Sequence, residues 1–198
     1  MRKKLRTRAA IEQAAFALFE DQGYEGTTVE QIAEQAEVST TTFFRYFPSK
    51  ADLVVFGSCA QVPMLIEDML NRPADDAYLA VIRDAVLAVW VPEIDPASTL
   101  AAARAARQCP QLRGIYENVS RGWVVEVADA LAKRRNLPKP DQMCNLAARV
   151  GMGIFGGAVE RWVTGECAGD LAKIINDEFA AAFALCSEGN APSSQMTN

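Results

Sequence analysis

The sequence predicts an all-α protein: an N-terminal three-helix helix-turn-helix unit, then a larger helical domain, about nine helices in all. Three observations carry this. Half of the 198 residues are hydrophobic and Ala is abundant, whereas the period-two alternation of β-branched residues that marks strands is scarce. Apolar residues recur at spacings of three and four. Pro and Gly punctuate the chain at helix-length intervals.

The elements follow in order. A first helix is predicted over residues 4–22, because Ile11, Ala14, Ala15, Leu18 and Phe19 form one core-facing stripe. Gly23 and Gly26 end it. Thr27 and Thr28 are each followed three positions later by Glu30 or Gln31, the spacing of a capping box. Val29, Ile32, Ala33 and Ala36 give the second helix its buried face. Glu37-Val38 makes the turn, Ser39 caps the third helix, and Phe43 and Phe47 are inward-facing i, i+4 partners. Pro48 stops that helix. Ser49 with Asp52 opens a fourth, running through Leu53, Phe56, Met64 and Leu70. Beyond Arg72-Pro73, helices are predicted near 75–91, 97–108, 111–135, 139–164 and 170–187, separated by Pro92, Pro96, Pro110, Pro138, Pro140 and Gly165 with Gly169. The polar stretch 189–198 is expected to be a disordered tail. The expected division is an N-terminal three-helix domain at 1–50, a larger helical domain at 51–188, and that tail.

Charge is distributed unevenly. Residues 1–50 hold seven Lys/Arg and seven Asp/Glu, so the whole net charge of −5 lies in the remainder. Arg2, Lys3, Lys4, Arg6 and Arg8 crowd the amino terminus. Such a basic arm suits phosphates or a minor groove, although a solvated tail reads the same way in isolation. No apolar run reaches the roughly 18 residues of a membrane span, and no apolar stretch follows the N-terminal charges as a signal peptide requires. Five widely spaced Cys without a CxxC fit reduced thiols in a cytoplasmic protein. The chain has no His, which removes Ser/His/Asp and Cys/His catalysis and His-containing zinc sites. Nucleotide-binding Gly loops are also missing. We assign no catalytic residue, metal ligand or cofactor.

Two short helices joined by a tight turn and buttressed by a longer one make a helix-turn-helix. Thr28 heads the second helix, where a hydroxyl and backbone N–H groups suit a phosphate. Ser39, Thr40, Thr41 and Thr42 lead the third helix, whose first turns approach base edges. Thr methyls suit thymine methyls, and Arg45 suits guanine or a phosphate. Tyr46 and Lys50 fall where the DNA backbone passes. Singly, such residues are commonly only caps or surface charges; the combination carries the reading.

The residues Gly23-Tyr24, Thr27-Thr28-Val29, Ile32-Ala33, Ala36, Val38-Ser39, Thr42-Phe43, Tyr46-Phe47 and Pro48-Ser49-Lys50-Ala51-Asp52-Leu53 resemble the TetR family of transcriptional regulators over roughly residues 5–55. The resemblance implies a homodimer joined by its last two helices, bound to a palindromic double-stranded operator and released from it by a small molecule. Three positions depart from the family pattern. Glu37 stands where family members often carry Gly, Phe44 where a phosphate-binding Tyr is common, and Thr41 where Gly is frequent.

For the dimer contact the sequence offers Gly151, Gly153, Gly156 and Gly157 within an apolar stretch, opposite Ala180, Ala181, Ala182, Phe183 and Leu185. Each helical Gly costs about 1 kcal/mol relative to Ala, so their clustering predicts a close backbone approach to a partner helix or a ligand, with ordinary intrachain packing the competing reading. Met64, Tyr78, Trp90, Tyr116, Trp123, Met152, Phe155 and Trp162 are candidates to line an apolar pocket. Arg104, Arg107 and Arg113 are candidates for an anionic head group. The expected effector is small and largely hydrophobic, with an anionic form such as a fatty acyl thioester within its range. An activator or protein-regulated member of the same fold, and an all-α enzyme or interaction module, are the alternative readings.

Overall fold

The computed structural model describes residues 2–53 and 61–188. Among them are nine α-helices: α1 (Arg2–Gly26), α2 (Val29–Gln35), α3 (Thr40–Tyr46), α4 (Val62–Asn71), α5 (Tyr78–Ala85), α6 (Pro96–Gln108), α7 (Pro110–Arg134), α8 (Gln142–Thr164) and α9 (Leu171–Glu188). The all-helical prediction holds. Phe56 and the tail 189–198 lie outside the described residues.

The differences from expectation are local and have physical causes. The first helix starts at Arg2 rather than residue 4, so the basic residues Arg2, Lys3, Lys4 and Arg6 sit on its opening turns. It is broken at Gly23, whose φ of 78° is left-handed, and only Gly adopts that conformation without a steric cost. The segment from Ser49 opens as a 3₁₀ turn, Lys50–Leu53, with the Ser49 N–H and hydroxyl both donating to Asp52 Oδ2 (2.7 and 2.6 Å). The predicted helix at 75–91 begins only at Tyr78. It then widens into a π-helical turn, Val86–Trp90, and tightens into a 3₁₀ turn, Val91–Glu93, where Pro92 cannot continue the α-helical ladder. The helix expected from residue 139 starts at Gln142, because the Asp141 carboxylate caps it by accepting the Cys144 N–H (2.8 Å). That bond holds the Asp141 carboxyl below its ordinary pKa.

Two apolar cores organise the chain. One gathers residues of α4, α5 and α7–α9 around Trp90, Trp123, Leu131, Phe155 and Phe179. The other unites α1, α2 and α3 through Ile11, Phe16, Ile32, Phe43 and Phe47, and it also takes in Ala102 and Ala105 of α6 and Leu112 of α7. Helix α6 therefore belongs by one face to the core of the reading unit. Its alanines permit close approach to α1, with no long side chain to hold the helices apart.

Glu37 has φ 53°, left-handed backbone at a non-Gly residue. That costs about 1–2 kcal/mol, whereas Gly would lose about 0.4–1 kcal/mol through its freer unfolded chain. Glu37→Gly is therefore expected to raise stability by roughly 0.5–1 kcal/mol, measurable as a higher urea midpoint.

Candidate nucleic-acid interface and effector cavity

The reading unit is built by caps. Thr28 and Gln31 form the reciprocal box: the Gln31 N–H donates to Thr28 Oγ1 (3.2 Å) and the Thr28 N–H to Gln31 Oε1 (2.8 Å). Thr27 does other work. It is buried, and its hydroxyl donates to the Gly23 carbonyl (2.8 Å), fastening α2 to the end of α1. Ser39 Oγ accepts the Thr42 N–H (3.1 Å) and lies 3.0 Å from the Thr42 hydroxyl, so the Thr42 side chain is committed to the cap.

Phe43 and Phe47 are fully buried with ring centroids 5.8 Å apart, which fixes how α3 is presented. Thr41, Phe44 and Arg45 are exposed, at i, i+3 and i+4, and Thr40 is half-buried beside them. Phe44 is 53% exposed. Phe44 lacks a hydroxyl for a phosphate, but its spacing of three from Thr41 places it on the same outward face. The Arg45 guanidinium lies over the Tyr46 ring (5.4 Å to the centroid). Arg6 is exposed, whereas Arg8 pairs with Glu12 (3.0 Å) and sits over the Phe47 ring. Lys50 has a role the sequence did not suggest. Its Nζ donates to the carbonyls of Tyr24 (2.6 Å) and Thr27 (2.8 Å) and stands 4.0 Å from the Tyr24 ring centroid. It thereby ties the turn after α3 to the α1–α2 junction, where carbonyls left over from the α1 terminus need a donor.

In the larger helical domain, two neighbouring cavities lie between α7 and α8. The first, of about 400 Å³, is lined by Tyr116, Trp123, Met152, Phe155, Gly153 and Gly156, with Arg121 and Arg149 at its edge. The second, of about 440 Å³, lies against α6 and is lined by Ala102, Ala103 and Ala106, with Arg107, Arg113, Glu117 and Glu160 among its polar groups. Four of the predicted pocket residues thus share one cavity, and Arg107 and Arg113 share the other. The structure does not bring the rest there. Met64 is 58% exposed on α4. Tyr78 packs under Arg135 at the start of α5. Trp90 is buried one layer behind the wall, with its ring 5.0 Å from Trp123 and 5.3 Å from Phe155. Trp162 is buried, and its indole N–H donates to the Gly169 carbonyl (3.2 Å). Burial pushes the Tyr116 hydroxyl pKa up, an effect opposed by Ser120 and reinforced by Glu160. The α6 alanines and Arg149 line the cavities without a local sequence signal that sets them apart from other helical Ala and Arg.

The glycines divide. At Gly151 the close approach is within the chain: a Cβ there would stand 2.7 Å from Ile82 Cδ1 of α5. At Gly153, Gly156 and Gly157 a Cβ would meet nothing within 4 Å. Met143, Leu146, Val150, Gly153 and Gly157 follow one another at spacings of three and four along α8, and all five are exposed. On α9, Ala180, Ala181 and Leu185 are exposed, but Phe183 packs against the core. It continues the inward face of Leu171, Ile175 and Phe179, so it turns away from the side that Ala181 presents. Cys144 is buried and free, and Cys109 and Cys167 are free and partly buried. No described helix is long and apolar enough to cross a membrane.

Comparison with known proteins agrees with this geometry. Residues 11–55 match the family model described as bacterial regulatory proteins, tetR family, and residues 76–185 match the MftR C-terminal domain. The chain is 33% identical over 147 residues to the HTH-type transcriptional regulator TcmR of Streptomyces glaucescens, an alignment covering 71% of this chain and 65% of that relative. It is 25% identical over 197 residues to the putative mycofactocin biosynthesis transcriptional regulator MftR of Mycobacterium tuberculosis, covering 95% and 93% of the two chains. The fold is shared with the transcriptional regulator FadR of Bacillus subtilis in complex with stearoyl-CoA (TM-score 0.51, 21% identity, 87% of this chain and 95% of that one). It is shared equally with NalD, the secondary repressor of the MexAB-OprM efflux pump in Pseudomonas aeruginosa (TM-score 0.51, 18% identity, 93% and 97%). With the helix-turn-helix formed and both segments matched, the chain belongs to the TetR family of DNA-binding transcriptional regulators, with a C-terminal domain of the MftR type, and is not an enzyme.

Proposed function

We propose that this protein is a cytoplasmic repressor that binds a palindromic operator as a homodimer and leaves it when a small, largely apolar effector occupies the α7–α8 cavities. The observation that carries the reading is the double duty of α6. Ala102 and Ala105 are buried in the core of the reading unit, while Ala102, Ala103, Ala106 and Arg107 line a cavity. A molecule that displaces α6 also displaces α1 and, through it, the spacing of the two reading helices. A two-fold dimer must place those helices about 34 Å apart to meet successive major grooves. A ligand that prefers the displaced state lowers DNA affinity by the ratio of its affinities for the two states.

Thr40, Thr41, Phe44 and Arg45 are the base-facing residues in this proposal. Thr28, Tyr46 and the basic start of α1 (Arg2, Lys3, Lys4, Arg6) serve the phosphates, and Lys50 braces the unit from behind. The proposed boundaries remain 1–50 for DNA binding, 51–188 for effector binding and dimerisation, and 189–198 for a tail. The exposed stripe Met143, Leu146, Val150, Gly153 and Gly157, with Ala181 and Leu185 of α9, supports dimerisation through α8 and α9. The apolar walls, with Arg107 and Arg113 at the rim, fit an amphipathic anion such as a fatty acyl thioester, the class that a structural relative holds as stearoyl-CoA. The sign of regulation follows the repressor NalD.

The test is capture of genomic duplex fragments by the purified protein, followed by titration of the complexes with stearoyl-CoA. Recovery of a palindrome and its release by the thioester are expected. Capture of no specific fragment contradicts the DNA-binding proposal, and a palindrome that stearoyl-CoA leaves bound contradicts the effector class.

A further inference from the structure

The two cavities have a common wall. Tyr116, Glu117 and Gly156 line both of them. Glu117 is exposed, whereas Tyr116 is half-buried, so the aromatic ring is the inner part of that wall. Across from it Gly156 presents no side chain, and a Cβ there would meet nothing within 4 Å. The partition is therefore one aromatic ring facing an open patch of helix backbone. The lobes on its two sides differ in their apolar walls. Alanines, with Arg107, Arg113, Glu117 and Glu160 around them, line the lobe against α6. Trp123, Met152 and Phe155, with Arg121 and Arg149 at the edge, line the far lobe.

We propose that Tyr116 and Gly156 form a chain-length gate. The effector's anionic head lies by Arg107 and Arg113, its first carbons occupy the lobe against α6, and only a long unbranched chain passes between Tyr116 and Gly156 into the aromatic lobe. Arg113 and Trp123 lie ten residues apart on α7, about 15 Å at 1.5 Å per residue. An extended eight-carbon acyl chain falls short of that distance and an eighteen-carbon chain exceeds it. This inference rests on the effector site proposed above and assigns its selectivity to two residues.

The experiment compares octanoyl-CoA and stearoyl-CoA binding to the full-length protein, its Gly156→Leu variant and its Tyr116→Ala variant, by calorimetry. The wild type is expected to prefer stearoyl-CoA by at least a hundredfold. Gly156→Leu plugs the passage, so stearoyl-CoA is expected to fall to within about threefold of octanoyl-CoA, while octanoyl-CoA binding stays unchanged. That unchanged binding also reports an intact fold. Tyr116→Ala removes the ring, and stearoyl-CoA binding is expected to tighten severalfold. A Gly156→Leu protein that keeps the full wild-type preference overturns the gate and leaves the effector site standing. A wild type that binds neither thioester overturns both.

Discussion

Phe43→Ala is expected to destabilise the reading unit by about 3–5 kcal/mol and to abolish operator binding. Helix α3 has seven residues, too few to be stable alone, so its position comes from what it buries. Phe43 and Phe47 are that anchor, both with no exposed surface. Removing one ring leaves a void against Ile11 and Ile32, whose side chains belong to the same core. The loss is comparable to the 5–15 kcal/mol that holds a whole domain together. Trp123, Phe155 and the rest of the effector core form a separate cluster, so effector binding is expected to survive. Urea unfolding followed by circular dichroism, with anisotropy of a labelled operator, reads both effects. Wild-type operator affinity in this variant would contradict the placement of α3.

The paired change Leu146→Asp and Val150→Asp is expected to split the proposed dimer and cost at least about a hundredfold in affinity for a palindrome, the lower end of what linking two modules provides. Both residues are exposed, 47% for Leu146 and 37% for Val150. Each replaces an apolar side chain that touches solvent in the single chain, so protomer stability should move by no more than about 0.5 kcal/mol. In the proposed dimer the same positions lie in the contact, where like charges without partners are costly to bury. Sedimentation at micromolar protein tests this. A variant that still sediments as a dimer would place the interface elsewhere.

The reading unit was largely legible in the sequence because its determinants are local. The Thr28 and Ser39 caps, the Phe43–Phe47 pair and Pro48 each act within one or two turns, and the helices appeared where these signals put them. The effector domain was legible only as helices. Whether Met64, Trp90 or Trp123 lines a cavity depends on how α4, α5, α7 and α8 rotate against one another, which helical periodicity does not specify. Periodicity put Phe183 on an apolar helix, but only the continuation of Leu171, Ile175 and Phe179 decided that it faces inward. The Gly151 approach to Ile82 was foreseeable as a close contact, though not as an intrachain one. Lys50 shows the same limit from the other side. Its charge was plain, but its carbonyl partners lie 23 and 26 residues earlier in the chain.

The most direct test of the account is selection of bound duplexes from random oligonucleotides by the wild type and by Arg45→Ala. Thr41, Phe44 and Arg45 on the exposed face of α3 should yield a two-fold symmetric motif. Losing the guanidinium should relax one position in each half-site by about 1–3 kcal/mol, leaving the other positions and the spacing intact. Recovery of the same motif by both proteins would show that α3 does not read the bases.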